Sequence, residues 1–162
     1  MRNSSVLALA TFLLAVAGLV PLSAAHAANE DEQAVRQATD EFYAALNAMF
    51  EGNVEPMKAV WSHAEDVTYL GPDGKFTVGW DQVLADWERQ AAMKLGGAVR
   101  PERIHVTVGQ DIATVACYEV GENIIDGKPT KVSIRATNVF RQENGQWKMI
   151  GHHTDTLPFL QQ

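Results

Sequence analysis

The chain has 162 residues, 46% of them hydrophobic, with 13 basic against 20 acidic side chains and a formal charge of −7. That length supports one domain with a real core, and an acidic chain without a Lys/Arg cluster argues against nucleic acid or anionic lipid as partner. Cys117 is the sole cysteine; it excludes an intramolecular disulfide, and its apolar strand setting reads as core.

The first 27 residues read as a cleavable secretory signal. Arg2 supplies the positive start, Val6 to Val20 is almost wholly apolar, and Pro21 breaks the run. Ala25-His26-Ala27 then presents small residues where a signal peptidase reads them, so cleavage is expected before Ala28. The apolar run of about 15 residues is short of the roughly 20 that span a bilayer as a helix. The expected product is a periplasmic or secreted domain of residues 28–162, free of the membrane, carrying 12 basic and 20 acidic residues.

Asn29 with Glu32 three residues on forms a capping pair. Behind it Val35, Ala38, Phe42, Ala45, Leu46 and Met49 recur at helical spacing, and Gly52-Asn53 ends that helix. A short helix over 54–61 tolerates Pro56 in its first turn. Val67 to Leu70 reads as a strand, Gly71-Pro72-Asp73-Gly74 as a turn, and Phe76 to Val78 as a short return strand. Val83, Leu84, Trp87 and Ala91 define a third helix over 81–95, stopped by Gly96-Gly97. The period then switches to two. Ile104, Val106 and Val108 alternate with polar residues, 112–125 is a long strand, and Asp126-Gly127 signals a hairpin into a strand over 130–142. Asn144-Gly145 turns the chain into a last strand over 147–156. Helices first and an antiparallel meander second make an α+β pattern, with the helices on one face of a curved sheet.

The order of these elements, the segment HAEDVTYLGPDGKFTVGW (63–80) and the ending ATNVFRQENGQWKMIGHHTD (136–155) resemble the SnoaL-like members of the nuclear-transport-factor-2-like superfamily. The ending is also similar to the association domain of the calcium/calmodulin-dependent protein kinase II family. The resemblance covers essentially all of the chain after the signal. It implies a cone-shaped sheet wrapped by three helices, a pocket in the cone, and a homodimer. The fold hosts isomerases, cyclases, dehydratases, hub domains and binding proteins, so function rests on the site.

Turn geometry gives the register. A two-residue loop at Asn144-Gly145 pairs Phe140 with Met149, Asn138 with Gly151 and Ala136 with His153; one at Asp126-Gly127 sets Val115 opposite Asn138 and Cys117 opposite Ala136. The face carrying Val115, Cys117, Ala136, Asn138, Phe140, Trp147, Met149, Gly151 and His153 is the more apolar and is expected to be concave. A bulge would swap assignments locally and turn Tyr118 and Arg135 into pocket residues able to clamp a carboxylate. By resemblance, Asn138 matches a pocket position that carries an acid in ketosteroid isomerases and an arginine in the kinase hub domains.

An isomerase needs a general base and donors aimed at the developing oxyanion. By resemblance Tyr43 lies near the donor tyrosine of those isomerases, but their catalytic aspartate would precede the proline of the turn, where this chain has Gly71. His153 and Asp155 share a strand face and could act as acid/base and support, or His153 could simply pack; His63 could reach the pocket mouth. His152-His153 with Asp155 offers metal-type ligands, but neighbours on a strand point to opposite faces and no third ligand is evident, so no metal is expected. No phosphate-cradling glycine loop or nucleophile elbow is present, and no cofactor is implied. Trp61, Trp80, Trp87 and Trp147, with Tyr69 and Phe140, are many rings for a small domain, Trp87 reading as core. The expected pocket takes a small apolar or aromatic molecule through Tyr43, Trp61, His63, Tyr69, Trp80, Asn138, Phe140 and Trp147. A lyase or isomerase using His153, and an oligomerising structural module, are the rival readings.

Overall fold

The computed structural model describes residues 22–155 and Leu157. Residues 1–21, which hold most of the expected export signal, lie outside the described residues.

Three helices precede a sheet: α1 (Leu22–Phe50), α2 (Glu55–Val60), β1 (Thr68–Leu70), β2 (Phe76–Val78), α3 (Trp80–Met93), β3 (Ala98–Val108), β4 (Ile112–Ile125), β5 (Lys128–Glu143) and β6 (Gln146–Thr154). The six strands form one curved, unclosed sheet in the order β2-β1-β6-β5-β4-β3. Among the described strands only the β1–β6 pair is parallel. The α+β architecture expected from the sequence is the one observed, with each element within a few residues of its expected place except two. α1 is already helical at Leu22, so Asn29 and Glu32 lie inside the helix and do not cap it. β3 begins at Ala98, six residues before the alternation at Ile104 becomes legible.

The helical stripe behaves as its spacing requires. Val35, Ala38, Phe42, Ala45, Leu46 and Met49 are all buried, and they join the inward faces of α3 and the sheet in one core. Asn47 of α1 clamps the β3 backbone, donating to the Val99 carbonyl at 3.0 Å and accepting from the Val99 N–H at 2.9 Å. Both two-residue turns take the left-handed conformations that a type I′ hairpin needs, with φ of 51° and 74° at Asp126-Gly127 and 52° and 79° at Asn144-Gly145. The β4–β5 register is the expected one, Val115 opposite Asn138 and Cys117 opposite Ala136.

The β5–β6 register is a correction. Phe140 faces Met149 as expected, but Val139 then faces Gly151, Asn138 faces His152 and Thr137 faces His153. Ile150 is the extra residue of a bulge, which shifts the rest of β6 by one position. The pairings Asn138–Gly151 and Ala136–His153 are therefore not formed, and His152 turns inward while His153 turns to solvent.

Candidate functional site

The concave face of β4 continues the period-two alternation past Val115 and Cys117 to Glu119, and that of β6 runs through His152 and Thr154. All three are almost fully buried, Glu119 at 4%, His152 at 3% and Thr154 at 5% exposure. α1 adds Tyr43, and β5 adds Asn138. These residues form a closed ring. His152 Nδ1 lies 2.6 Å from Asn138 Oδ1. Asn138 Nδ2 donates to the Tyr43 oxygen at 3.5 Å, and the Tyr43 hydroxyl donates to Glu119 Oε1 at 3.1 Å. Glu119 Oε1 closes the ring 3.5 Å from His152 Nε2. With its proton given to Glu119, Tyr43 accepts from the Cys117 thiol 3.2 Å away.

The ring fixes the state of the imidazole. Asn138 Oδ1 can only accept, so Nδ1 carries the proton and Nε2 turns its lone pair towards Glu119. Burial pushes Glu119 up to about 7 from 4.5, against the hydrogen bond from Tyr43 that favours the carboxylate. Burial, with the charge of His153 behind it, pushes His152 down to about 3 from 6.5. Desolvation thus outweighs the attraction of an ion pair across this 3.5 Å gap, and one proton serves both groups below neutrality. Burial and the nearby Glu119 charge raise Tyr43, and burial raises Cys117, so both stay protonated.

Beside the ring lies a cavity of about 30 Å³ bounded by Glu119, His152, Thr154, Tyr69, Trp87 and Leu157, among others. It has room for about two water molecules. Gln90 of α3 donates to the Tyr69 hydroxyl at 2.9 Å, and the Tyr69 ring lies 4.4 Å from that of Trp87. Two polar atoms on this wall, Thr154 Oγ1 and Trp87 Nε1, are buried with no hydrogen-bond partner among the described residues. Leu157 is part of the same lining, its N–H bonded to the Pro72 carbonyl at 2.8 Å. Gly71 of that turn has no room for a side chain. A Cβ there would meet the Tyr69 ring at 2.6 Å, so the place where an isomerase's aspartate would begin is filled by Tyr69.

Of the expected site residues, the structure brings Tyr43, Asn138 and Tyr69 to the cone. Phe140 and Trp61 are buried in the surrounding core, Trp61 against the rings of Trp80 and Trp87. His63 stacks on Trp80 at 4.4 Å, with Nε2 2.8 Å from the Lys58 carbonyl, on a separate surface concavity. Trp147 packs under α1, away from the cavity. His153 is exposed on the outer face, where Asp155 is bound bidentately by Arg135 at 2.8 and 3.0 Å. The register shifts fall on β6 and β3 and leave the β4–β5 pairing continuous, so Tyr118 and Arg135 remain on the outer face and clamp nothing in the cone. Trp87, read as core, is buried in the core and also borders the cavity. Glu119, His152 and Thr154 were not expected. Extending the β4 alternation by two residues would have found Glu119; nothing in the sequence marks the bulge that turns His152 inward.

The SnoaL-like domain model matches residues 35–156, and the chain belongs to that family. Among solved structures it is similar to a candidate dehydratase of the NTF2-like family from Streptomyces avermitilis, with 24% identity, a TM-score of 0.71, and 80% of this chain and 98% of that one covered. A candidate calcium/calmodulin-dependent protein kinase type II association domain from Thiobacillus denitrificans shares 28% identity, with a TM-score of 0.64 over 74% of this chain and 92% of that one. The F-box protein SKIP8 of Arabidopsis thaliana is 23% identical over 128 residues, 72% of this chain. The chain spans about half of that protein, 53% of its length.

Proposed function

We propose that the cone binds a small, largely apolar molecule whose polar handle sits on Glu119, His152 and Thr154. The observation that carries this is the buried, unpartnered Thr154 hydroxyl on a cavity wall shared with Glu119, His152, Tyr69 and Trp87. A core needs no such group, because an unpaired buried polar atom costs about 1–3 kcal/mol. The cavity as it stands is much smaller than the roughly 300 Å³ of a typical ligand pocket. The body of the ligand therefore displaces Leu157 from the lining. Native mass spectrometry of the protein purified from its own cell envelope tests the reading. A small molecule lost on denaturation is expected, and an empty protein that also fails to bind any member of a metabolite library would refute it.

A second reading, a lyase or isomerase, is favoured by the Glu119–His152 pair, which holds an acid near neutrality opposite a neutral imidazole. The candidate dehydratase among the related structures is consistent with it. His152, rather than His153, is then the residue whose loss abolishes turnover. We also propose export with cleavage before Ala28, tested by the mass of the purified chain. Homodimer formation through the outer sheet face, where the Arg103 guanidinium lies 5.6 Å from the Tyr118 ring, is tested by light scattering.

A further inference from the structure

Resting on the binding reading above, we propose that the ligand is a primary amine, taken as its ammonium, with an alkyl tail that takes the place of Leu157 in the lining. The cavity wall is built from acceptors. Glu119 presents a carboxyl group, His152 presents the Nε2 lone pair because Nδ1 is committed to Asn138, and Thr154 presents a hydroxyl oxygen with no partner. The donors on the same wall are largely used. The Gln90 amide is given to the Tyr69 oxygen and the Asn123 amide to the Gly96 carbonyl, which leaves the Trp87 indole N–H and the hydroxyl protons of Tyr69 and Thr154, and neither hydroxyl carries a charge to pair with Glu119.

An ammonium brings three N–H donors and no acceptor, which matches three acceptors converging from β4 and β6. It also brings the charge that the site lacks. Among the described residues no Arg or Lys lines the cavity, and the Glu119 carboxylate meets no cation from them. A ligand carboxylate would set two negative charges together in a desolvated space, and an alcohol would satisfy one acceptor and leave the charge unpaired. Tyr69 and Trp87 turn aromatic rings to the same space and favour a cation. The size of the cavity, about 30 Å³, admits the ammonium and its first carbons. The rest of the alkyl chain passes Leu46, Leu95 and Val99 and takes the place of Leu157, whose N–H bonds to the Pro72 carbonyl.

The experiment titrates hexylamine, 1-hexanol, hexanoate and hexyltrimethylammonium into the full purified chain at pH 8, followed by calorimetry and tryptophan fluorescence. Hexylamine is expected to bind at least about tenfold more tightly than 1-hexanol, with hexanoate not binding. Hexyltrimethylammonium, which has the charge but no N–H, is expected to fall with the alcohol. Glu119→Gln brings hexylamine down to the affinity of 1-hexanol. Thr154→Val removes an unpartnered hydroxyl at nearly constant shape, so it keeps the fold and weakens hexylamine about threefold; it decides the matter if Glu119→Gln does not fold. Hexanol or hexanoate binding as tightly as hexylamine overturns the amine and leaves the binding reading standing. Hexyltrimethylammonium equal to hexylamine overturns the acceptor argument. No binding by any of the four overturns the amine inference, and the metabolite-library screen above then decides the binding reading under it.

Discussion

The ring makes the pH dependence of stability a test of where its proton sits. Unfolded, Glu119 titrates near 4.5 and His152 near 6.5; folded, they titrate near 7 and near 3. Between pH 4.5 and 6.5 the unfolded pair holds one proton on histidine, and the folded pair holds one on glutamate. Equal proton counts mean no slope in the wild type from this pair. Glu119→Gln breaks the balance. Its folded state holds no proton in this window, while its unfolded state gains one on His152 as pH falls. A histidine with a lowered folded pKa contributes stability that is lost on acidification. At 1.36 kcal/mol per pH unit the variant loses about 3 kcal/mol relative to wild type from pH 6.5 to 4.5. His152→Gln does the reverse. Glu119 keeps its proton in the fold up to about 7, so stability is lost by a similar amount as pH rises through the window from 4.5. Tyr43 and Cys117, the other titratable groups on the ring, are raised and stay neutral throughout. Urea unfolding at half-unit pH intervals measures all three proteins, and differences from wild type cancel the surface carboxylates. Two variants whose curves run parallel to wild type would refute the shared-proton arrangement.

Three further outcomes are expected. Gly71→Ala drives a Cβ to within 2.6 Å of the buried Tyr69 ring and destabilises by about 1–3 kcal/mol in urea unfolding, as overpacking does. Asn138→Leu leaves the His152 Nδ1–H buried without its acceptor and costs about 1–3 kcal/mol, with the imidazole nitrogen resonances moving away from the single Nδ1–H tautomer in NMR spectra. His153→Ala and Asp155→Asn, both on the outer face, leave the melting temperature within about two degrees of wild type and ligand binding unchanged; loss of binding by either would return the site to the outer strand face.

The fold was legible because its signals are local. The stripe from Val35 to Met49, the turn pairs Asp126-Gly127 and Asn144-Gly145, and the alternation of β4 and β5 each act within a few residues, and all are found in place. Half of the polar ring was legible for the same reason: Tyr43 lies on the buried face of α1, and Asn138 lies opposite Val115. The other half turns on one residue. A side-chain period of two makes an extra residue invert everything beyond it, and Ile150 carries no mark that distinguishes a bulge from a regular strand. His152 and His153 therefore exchanged faces. The aromatic count was a poor guide because ring size predicts burial and says nothing of which buried ring borders empty space. Trp61 and Phe140 are packed on all sides, whereas Trp87 borders the cavity.

Asn138 shows why the ring needs the residue it has. The position must accept from His152 Nδ1–H and, with its other arm, donate to Tyr43. An amide does both at once. An aspartate could accept from the histidine but offers Tyr43 no donor when ionised, and an arginine could donate to Tyr43 but has nothing with which to accept. Either replacement would release the imidazole from its tautomer and put a second charge beside Glu119. The acid of this cone therefore stands on β4, at Glu119, and a neutral side chain at position 138 is what allows it to be the one residue there whose charge changes near neutrality. A relative that carries a charge at this position must arrange its proton differently, even on the same sheet.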